Sequence, residues 1–200
     1  PAVMMIIIFQ TLLMVIGMVT GEEYSSDGIR TYAPFGHTWA AAIRIVAGKT
    51  FVYCGLYAIF SFFLLGLLPY FFSIPNIGNG LYIVLLMIPY LIATSFLGLA
   101  ASRYFTDSEA PLLMIAFFSV GLIFLSGVSY PMELMPWYWK AAHYILPAAP
   151  ATLAFVQLNS MGASMADIRP EYITLWIQVL VYFILSIWVY QKKLQKSQLR

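Results

Sequence analysis

The chain has 200 residues, of which 62% are hydrophobic and 9% are charged, and its net charge is +2. A soluble domain carries about 25% charged residues, so a water-soluble core cannot accommodate this much apolar surface. The composition therefore predicts an integral membrane protein, and the small net charge indicates no nucleic-acid partner. The single cysteine, Cys54, excludes an internal disulfide and a cysteine-based metal site.

Five continuous apolar runs predict membrane-spanning helices, because about 20 apolar residues are needed to cross the hydrocarbon and a helix satisfies its own backbone there. The chain is therefore expected to form an all-α polytopic bundle. A turn rich in proline, glycine and asparagine at residues 73–80 separates the second run from the third. Pro89 predicts a kink in the third helix. The predicted spans lie at about residues 2–21, 50–72, 81–101, 111–130 and 172–190.

A long polar connection, residues 22–49, follows the first span, and its first residues are acidic. Thr38 can cap a short helix that ends at Ala47. Arg44 lies off the apolar face of this helix, so we expect a separate amphipathic helix that anchors the connection to lipid or docks a cytosolic protein. Four apolar residues share that face at the spacing i, i+3, i+4 and i+7: Trp39, Ala42, Ile43 and Val46.

Residues 47–50 read Ala-Gly-Lys-Thr and resemble the end of a nucleotide-binding P-loop. The full motif requires a glycine where this chain has Ile43, and a strand before it, so we expect no ATP binding by this route. His37 and His143 lie on opposite faces of the predicted bundle, and no span contains a pair of acids. The sequence thus offers no catalytic residues and no metal ligands. Polar residues at depth, among them Gln178, are expected to form helix–helix hydrogen bonds.

The stretch 128–150 is apolar enough to resemble a further span, yet it contains four prolines, each of which tends to break a helix. Cytoplasmic loops are enriched in Lys and Arg, so the basic residues discriminate between topologies. If this stretch does not cross, eight of the ten basic residues share one side; if residues 137–158 cross, the split is five to five. We therefore expect an outer re-entrant helical hairpin at residues 131–156 and a cytoplasmic C terminus.

This topology has a consequence for the start of the chain. Five spans and a cytoplasmic C terminus place Ala2 on the outer side, and the sequence begins inside an apolar run. We therefore expect a preceding portion that contains at least one more span.

Three motifs, in this order, resemble the permease subunits of ATP-binding-cassette exporters of the ABC-2 type. The first is a span that ends in Gly17-Met-Val-Thr-Gly-Glu-Glu23, followed by a loop that ends at Gly48-Lys49. The second is Gly127-Val-Ser-Tyr-Pro-Met-Glu-Leu-Met-Pro136, at the end of the penultimate span. The third is Leu146-Pro147, followed by a short apolar helix, a polar loop and a last span with a basic tail. The resemblance implies an ABC-2 transmembrane domain over residues 1–200 that lacks its first span.

The resemblance implies a permease that moves its substrate out across the inner (plasma) membrane by alternating access. The implied partners are a separate ATP-binding-cassette ATPase, which would hold ATP–Mg, a second permease copy and a periplasmic adaptor. The chain itself would hold no cofactor, and hydrophobic drugs or lipid-like molecules are candidate substrates. The implied ATPase-coupling residues are Glu22, Glu23, Asp27, Arg30, Arg44, Gly48 and Lys49. The implied outer gate consists of Pro131, Glu133, Pro136, Lys140 and Pro147.

Two other interpretations remain open from the residues alone. One is a non-transporting membrane scaffold or assembly subunit, which the sequence separates from a permease only through the chemistry of the loop 22–49. The other is a polytopic lipid-modifying enzyme. An enzyme would need paired acids or a histidine near an interface, and only Glu133 with His143 approaches this arrangement.

Overall fold

The computed structural model describes residues 2–25, 38–73, 77–102, 104, 111, 121–128, 130 and 134–197. Within this part of the chain the regular structure is helical, with no strand, as the apolar runs predict. Residues 121–125 are helical as well. The longer helices, in chain order, are α1 (Ala2–Ser25), α2 (Trp39–Phe71), α3 (Gly80–Ala101), α4 (Trp137–Ile145), α5 (Ala148–Met161) and α6 (Arg169–Ser197).

Four of these helices are long and apolar enough to cross a membrane: α1, α2, α3 and α6. They correspond to four of the five predicted spans. Helices α4 and α5 pass the same test only as a pair, and the two are bent by 88° relative to each other. Most of the remaining predicted span, at residues 111–130, lies outside the described residues.

The beginning of α2 differs from the sequence-based expectation. Thr38 caps a helix as predicted, because its side-chain oxygen accepts a hydrogen bond from the Ala41 backbone N–H at 3.3 Å. That helix does not end at Ala47 but continues without a break into the second span, so the predicted separate interfacial helix is wrong. The predicted apolar face is only half correct: Ala42 and Val46 are buried, whereas Trp39 and Ile43 are exposed.

A five-residue π-helical segment, Phe63–Leu67, interrupts α2 near its end. Outward-facing apolar side chains line much of this helix; Phe51, for example, is 82% exposed. Among the four long helices that the structure describes, α2 is the least buried.

Helix α3 is central and packs against α1, α2, α5 and α6. The fully buried Tyr90 connects it to α1, because its hydroxyl donates to the Met5 carbonyl at 2.6 Å. Gly98 allows α3 to pack close to α1 in the same interface, since a Cβ at this position would lie 3.0 Å from the Ile16 side chain. Pro89 lies within α3, which is helical on both sides of it.

Helix α5 is short but deeply buried. It begins Ala-Ala-Pro-Ala-Thr-Leu-Ala, and its small side chains allow it to insert between α1, α3 and α6. It ends at Gly162, whose φ of 66° is the left-handed conformation that glycine adopts most easily. In the loop that follows, the Asp167 carboxylate accepts hydrogen bonds from the Ser164 backbone and hydroxyl, which lowers the pKa of Asp167.

Gly78 contacts the last turns of α5 and leads to a testable prediction. A Cβ at this position would lie 2.6 Å from the Leu158 carbonyl oxygen, and the neighbouring Ile77 N–H donates to the Asn159 carbonyl at 3.2 Å. The Gly78→Ala substitution should therefore force two backbone segments apart and destabilise the purified protein by about 1–3 kcal/mol in thermal unfolding.

A matched control for this prediction is Gly55→Ala in α2. A Cβ at Gly55 meets nothing within 4 Å, so this change should be neutral or stabilise the protein by up to about 1 kcal/mol through helix propensity. Equal effects of the two substitutions would show that the contact between Gly78 and Leu158 does not constrain the fold.

Candidate functional site

An ionic cluster lies where the ends of α1, α3 and α6 meet α2. The Lys49 ammonium lies 2.7 and 2.5 Å from the two Glu23 carboxylate oxygens and donates to the Tyr190 hydroxyl at 3.2 Å. The Lys193 ammonium donates to the Ser102 carbonyl at 3.2 Å and to its hydroxyl at 2.9 Å. Both ammonium groups lie within 5.3 Å of the centre of the Tyr190 ring. We call these five residues the ionic cluster.

Electrostatics explains why lysines collect at this end of the bundle. Helices α1, α3 and α6 all end here, and the C-terminal end of a helix carries a partial negative charge together with unpaired carbonyls. Lys193 satisfies one of these carbonyls, that of Ser102, which caps α3. The side chains of Lys49 and Glu23 are only 13% and 25% exposed, so water screens their attraction weakly.

The structure separates the sequence-predicted coupling residues into two groups. Glu23 and Lys49 are members of the ionic cluster and hold helices together. Glu22, Arg44 and Gly48 are exposed at the same end of the bundle. Asp27 and Arg30 lie outside the described residues.

Tyr190, Lys193 and Ser102 were not identified from the sequence as site residues. The sequence signal for Lys193 was only a basic tail, because no spacing rule connects α6 with α2. Residues 47–50, which resemble a P-loop, are helical, so their backbone amides are not arranged to cradle a phosphate. Among the described residues, no group of three or more His, Cys, Asp or Glu side chains could hold a metal ion.

The ionic cluster also constrains the topology. Lys49 and Lys193 contact the same tyrosine, so the start of α2 and the end of α6 lie at one end of the bundle. Because α3 ends at the cluster and α6 begins at the opposite end, the chain must change sides between Ser102 and Arg169. The arrangement in which the basic tail lies opposite Lys49 is therefore excluded, and the grouping of these lysines predicted from charge is confirmed.

The second feature of interest is the bent pair α4–α5, whose corner lies against α6. Two carbonyls at the end of α4 would lack intrahelical partners. Gln178 donates its side-chain amide to the Tyr144 carbonyl at 2.7 Å, and the Tyr182 hydroxyl donates to the Ile145 carbonyl. Gln178 thus forms the interhelical hydrogen bond expected of a polar residue at depth.

The position of these contacts shows how deeply the corner lies within the bundle. Tyr182 precedes Lys193 by 11 residues, or about 16 Å along the helix axis. The corner therefore lies near the middle of α6. Helices α4 and α5 have 9 and 14 residues, so each is too short to cross about 30 Å of hydrocarbon alone.

Three of the five proposed gate residues lie on the pair α4–α5 or at its ends. Pro136 caps the start of α4, and the buried Pro147 stands at the bend between the helices. Lys140 is half-buried on α4. Pro131 and Glu133 lie outside the described residues. Proline suits both described positions, because its fixed φ is compatible with a helix start and its ring disfavours continuation of the preceding helix.

His143 lies inside the pair rather than at an open interface. It is 1% exposed, and its Nδ1 lies 2.7 Å from the Leu125 carbonyl oxygen. The side chain therefore ties α4 to the end of the preceding helical segment. Glu133, the acid that the enzyme interpretation pairs with His143, lies outside the described residues.

The fold and these two features define a polytopic α-helical membrane protein whose helix ends are held by a partly buried ion pair. Comparison with protein families identifies the class further, because the sequence pattern of the ABC-2 family transporter proteins matches residues 1–188. The chain belongs to this family and is the membrane-embedded permease of an ATP-binding-cassette transporter, which works with a cassette ATPase. Searches of curated proteins and of solved structures gave no match.

Proposed function

We propose that this chain is the permease subunit of an exporter in the inner (plasma) membrane, driven by a separate ATPase that holds ATP–Mg. The chain itself holds no cofactor and performs no catalysis in this proposal. Two permease copies, identical or different, form the translocation path between them, and a periplasmic adaptor continues it outside. Hydrophobic drugs and lipid-like molecules are the candidate substrates, because the described spans are largely apolar.

In this proposal the ionic cluster faces the cytoplasm, together with the C terminus. The support is the positive-inside rule combined with the shared position of Lys49 and Lys193. The single change of sides between Ser102 and Arg169 is then made by the apolar run at residues 111–130. The pair α4–α5 returns to the outer side from which it enters, as a re-entrant hairpin.

The ionic cluster is the observation that supports coupling between the ATPase and the permease helices. Glu23 and Lys49 lie near the two ends of the segment 22–49 and are bonded to each other, and Lys49 also donates to Tyr190 near the end of α6. Force that an ATPase applies to this segment would therefore reach α1, α2 and α6 together. The hairpin α4–α5 enters from the opposite side, α5 packs against α1 and α6, and the proline corner, which lies near the middle of α6, serves as the external gate.

The exposed Arg44 provides a test of ATPase docking that spares the cluster. In a detergent-solubilised complex, Arg44→Glu should lower the amount of cassette ATPase that co-purifies with a tagged permease by about fivefold, the equivalent of roughly 1 kcal/mol for a surface charge contact. Arg169→Glu, a matched charge reversal at the exposed start of α6, should leave the amount unchanged. Equal retention in both variants would contradict docking at the segment 22–49.

A further inference from the structure

His143 is the most enclosed titratable residue of the α4–α5 pair. Its side chain is 1% exposed, and its Nδ1 lies 2.7 Å from the Leu125 carbonyl oxygen. Because a carbonyl oxygen can only accept, Nδ1 carries the proton and donates in this contact. The Tyr144 ring packs edge-on against the imidazole, with 5.2 Å between the ring centres. We call the hydrogen bond from His143 to Leu125 the latch, because it joins α4 to the helical segment 121–125.

One acidic side chain acts on this imidazole from the neighbouring helix. Glu171, in the first turn of α6, attracts a positive charge on His143, and its Oε2 is buried without a hydrogen-bond partner in the described structure. Helix α5 and residues 121–125 contain no titratable residue. The other ionic groups at this end of α4 and α6 are Lys140 and Arg169, and both are positive.

The neutral form of His143 fits these surroundings better than the charged form. A free imidazole takes up a proton below about pH 6.5, whereas burial away from water disfavours its charged form. The attraction of Glu171 offsets part of this cost, and the positive charges of Lys140 and Arg169 do not. Uptake of a proton therefore favours a conformation in which His143 leaves Leu125 and reaches water.

We infer that the latch holds the α4–α5 pair closed at neutral pH and is released by acid. Release frees α4 from the segment 121–125, while the hydrogen bonds from Gln178 and Tyr182 keep the last residues of α4 on α6. Helix α4 then pivots about its C-terminal end. In the proposed exporter, acid on the outer side would open the external gate; this consequence rests on the proposed function, whereas the latch itself does not.

Hydrogen–deuterium exchange of the full chain in phospholipid nanodiscs tests the latch without an ATPase. After correction for the intrinsic pH dependence of exchange, amides in residues 121–128 and 137–143 should exchange about three- to tenfold faster at about pH 5.5 than at about pH 7.5. This acceleration follows from linkage, because the released imidazole gains a proton that the buried one resists. Peptides that cover residues 80–101 of α3 are the control and should show no acceleration.

Two substitutions separate the latch from other effects of pH. His143→Asn keeps a donor near the position of Nδ1 but does not titrate, so the acceleration should disappear. Glu171→Gln leaves His143 in place and removes the attraction that favours its charged form, so the acceleration should be at least as large and should level off at a lower pH. No acceleration in the unsubstituted chain would overturn the inference, as would an undiminished acceleration in His143→Asn or a smaller one in Glu171→Gln.

Discussion

Replacing Lys49 with methionine should destabilise the protein and impair ATP-driven activity. The substitution leaves the Glu23 carboxylate, only 25% exposed, without the ammonium that lies 2.5 Å from it. Loss of one partner from such a charged hydrogen bond costs about 1–3 kcal/mol. Because the same ammonium contacts Tyr190, the end of α6 should also lose its connection to α1. Thermal unfolding of the purified permease measures the first effect, and stimulation of ATP hydrolysis in the reconstituted complex measures the second.

A double-mutant cycle separates the ion pair from other consequences. Glu23→Gln should be less damaging in a chain that already carries Lys49→Met, with a coupling free energy of about 1–2 kcal/mol. Lys192→Met is a matched control, because the Lys192 ammonium lies over the Trp188 ring on the exposed side of α6 rather than in the cluster. It should change stability by less than about 0.5 kcal/mol. Strict additivity of the two cluster substitutions would contradict the proposed role of the ion pair.

Removal of the two side chains that hold the hairpin corner should open it. Tyr182→Phe and Gln178→Leu each leave a carbonyl at the end of α4 without its partner. Loss of a hydrogen bond to a partly buried carbonyl costs about 1–3 kcal/mol, so backbone amides near the corner should exchange with deuterium about 5- to 150-fold faster. Hydrogen–deuterium exchange of peptides that cover residues 137–150 reports this directly.

The control for the hairpin is Ser186→Ala in the same helix. Ser186 is fully buried, but its hydroxyl donates to the Phe183 carbonyl within α6, so its loss should not affect α4. If exchange near the corner is as slow in the Tyr182 and Gln178 variants as in the Ser186 variant, the two hydrogen bonds do not hold the hairpin. The gate proposal would then lack its structural basis.

The sequence predicted the helical class and four long helices because membrane insertion depends on local apolar length. It also predicted the Thr38 cap and the proline positions at the ends of α4, which follow from local backbone chemistry. The spacing argument for Trp39 and Ile43 was wrong because helical periodicity shows that a face exists but not which neighbours cover it. Here the neighbours cover Ala41, Ala42, Ile45 and Val46 instead.

The ionic cluster shows more clearly that a sequence pattern does not reveal which residues meet in the folded protein. Glu23 and Lys49 were selected from the sequence as loop residues that would contact an ATPase. The structure places them in helices and bonds them to each other, 26 positions apart; Lys49 also donates to Tyr190, 141 positions away. No local rule connects such distant residues, since only the packing of four helices brings their ends together.

Composition and apolar run length were therefore sufficient to establish a polytopic helical membrane protein, because the bilayer imposes length and burial rules on each segment separately. The distribution of basic residues was sufficient to group the two ends that carry Lys49 and Lys193. Only the tertiary structure revealed the ionic cluster and the side-chain hydrogen bonds that hold the hairpin corner. Each of these arises from side chains on different helices, and their meeting depends on how the helices pack.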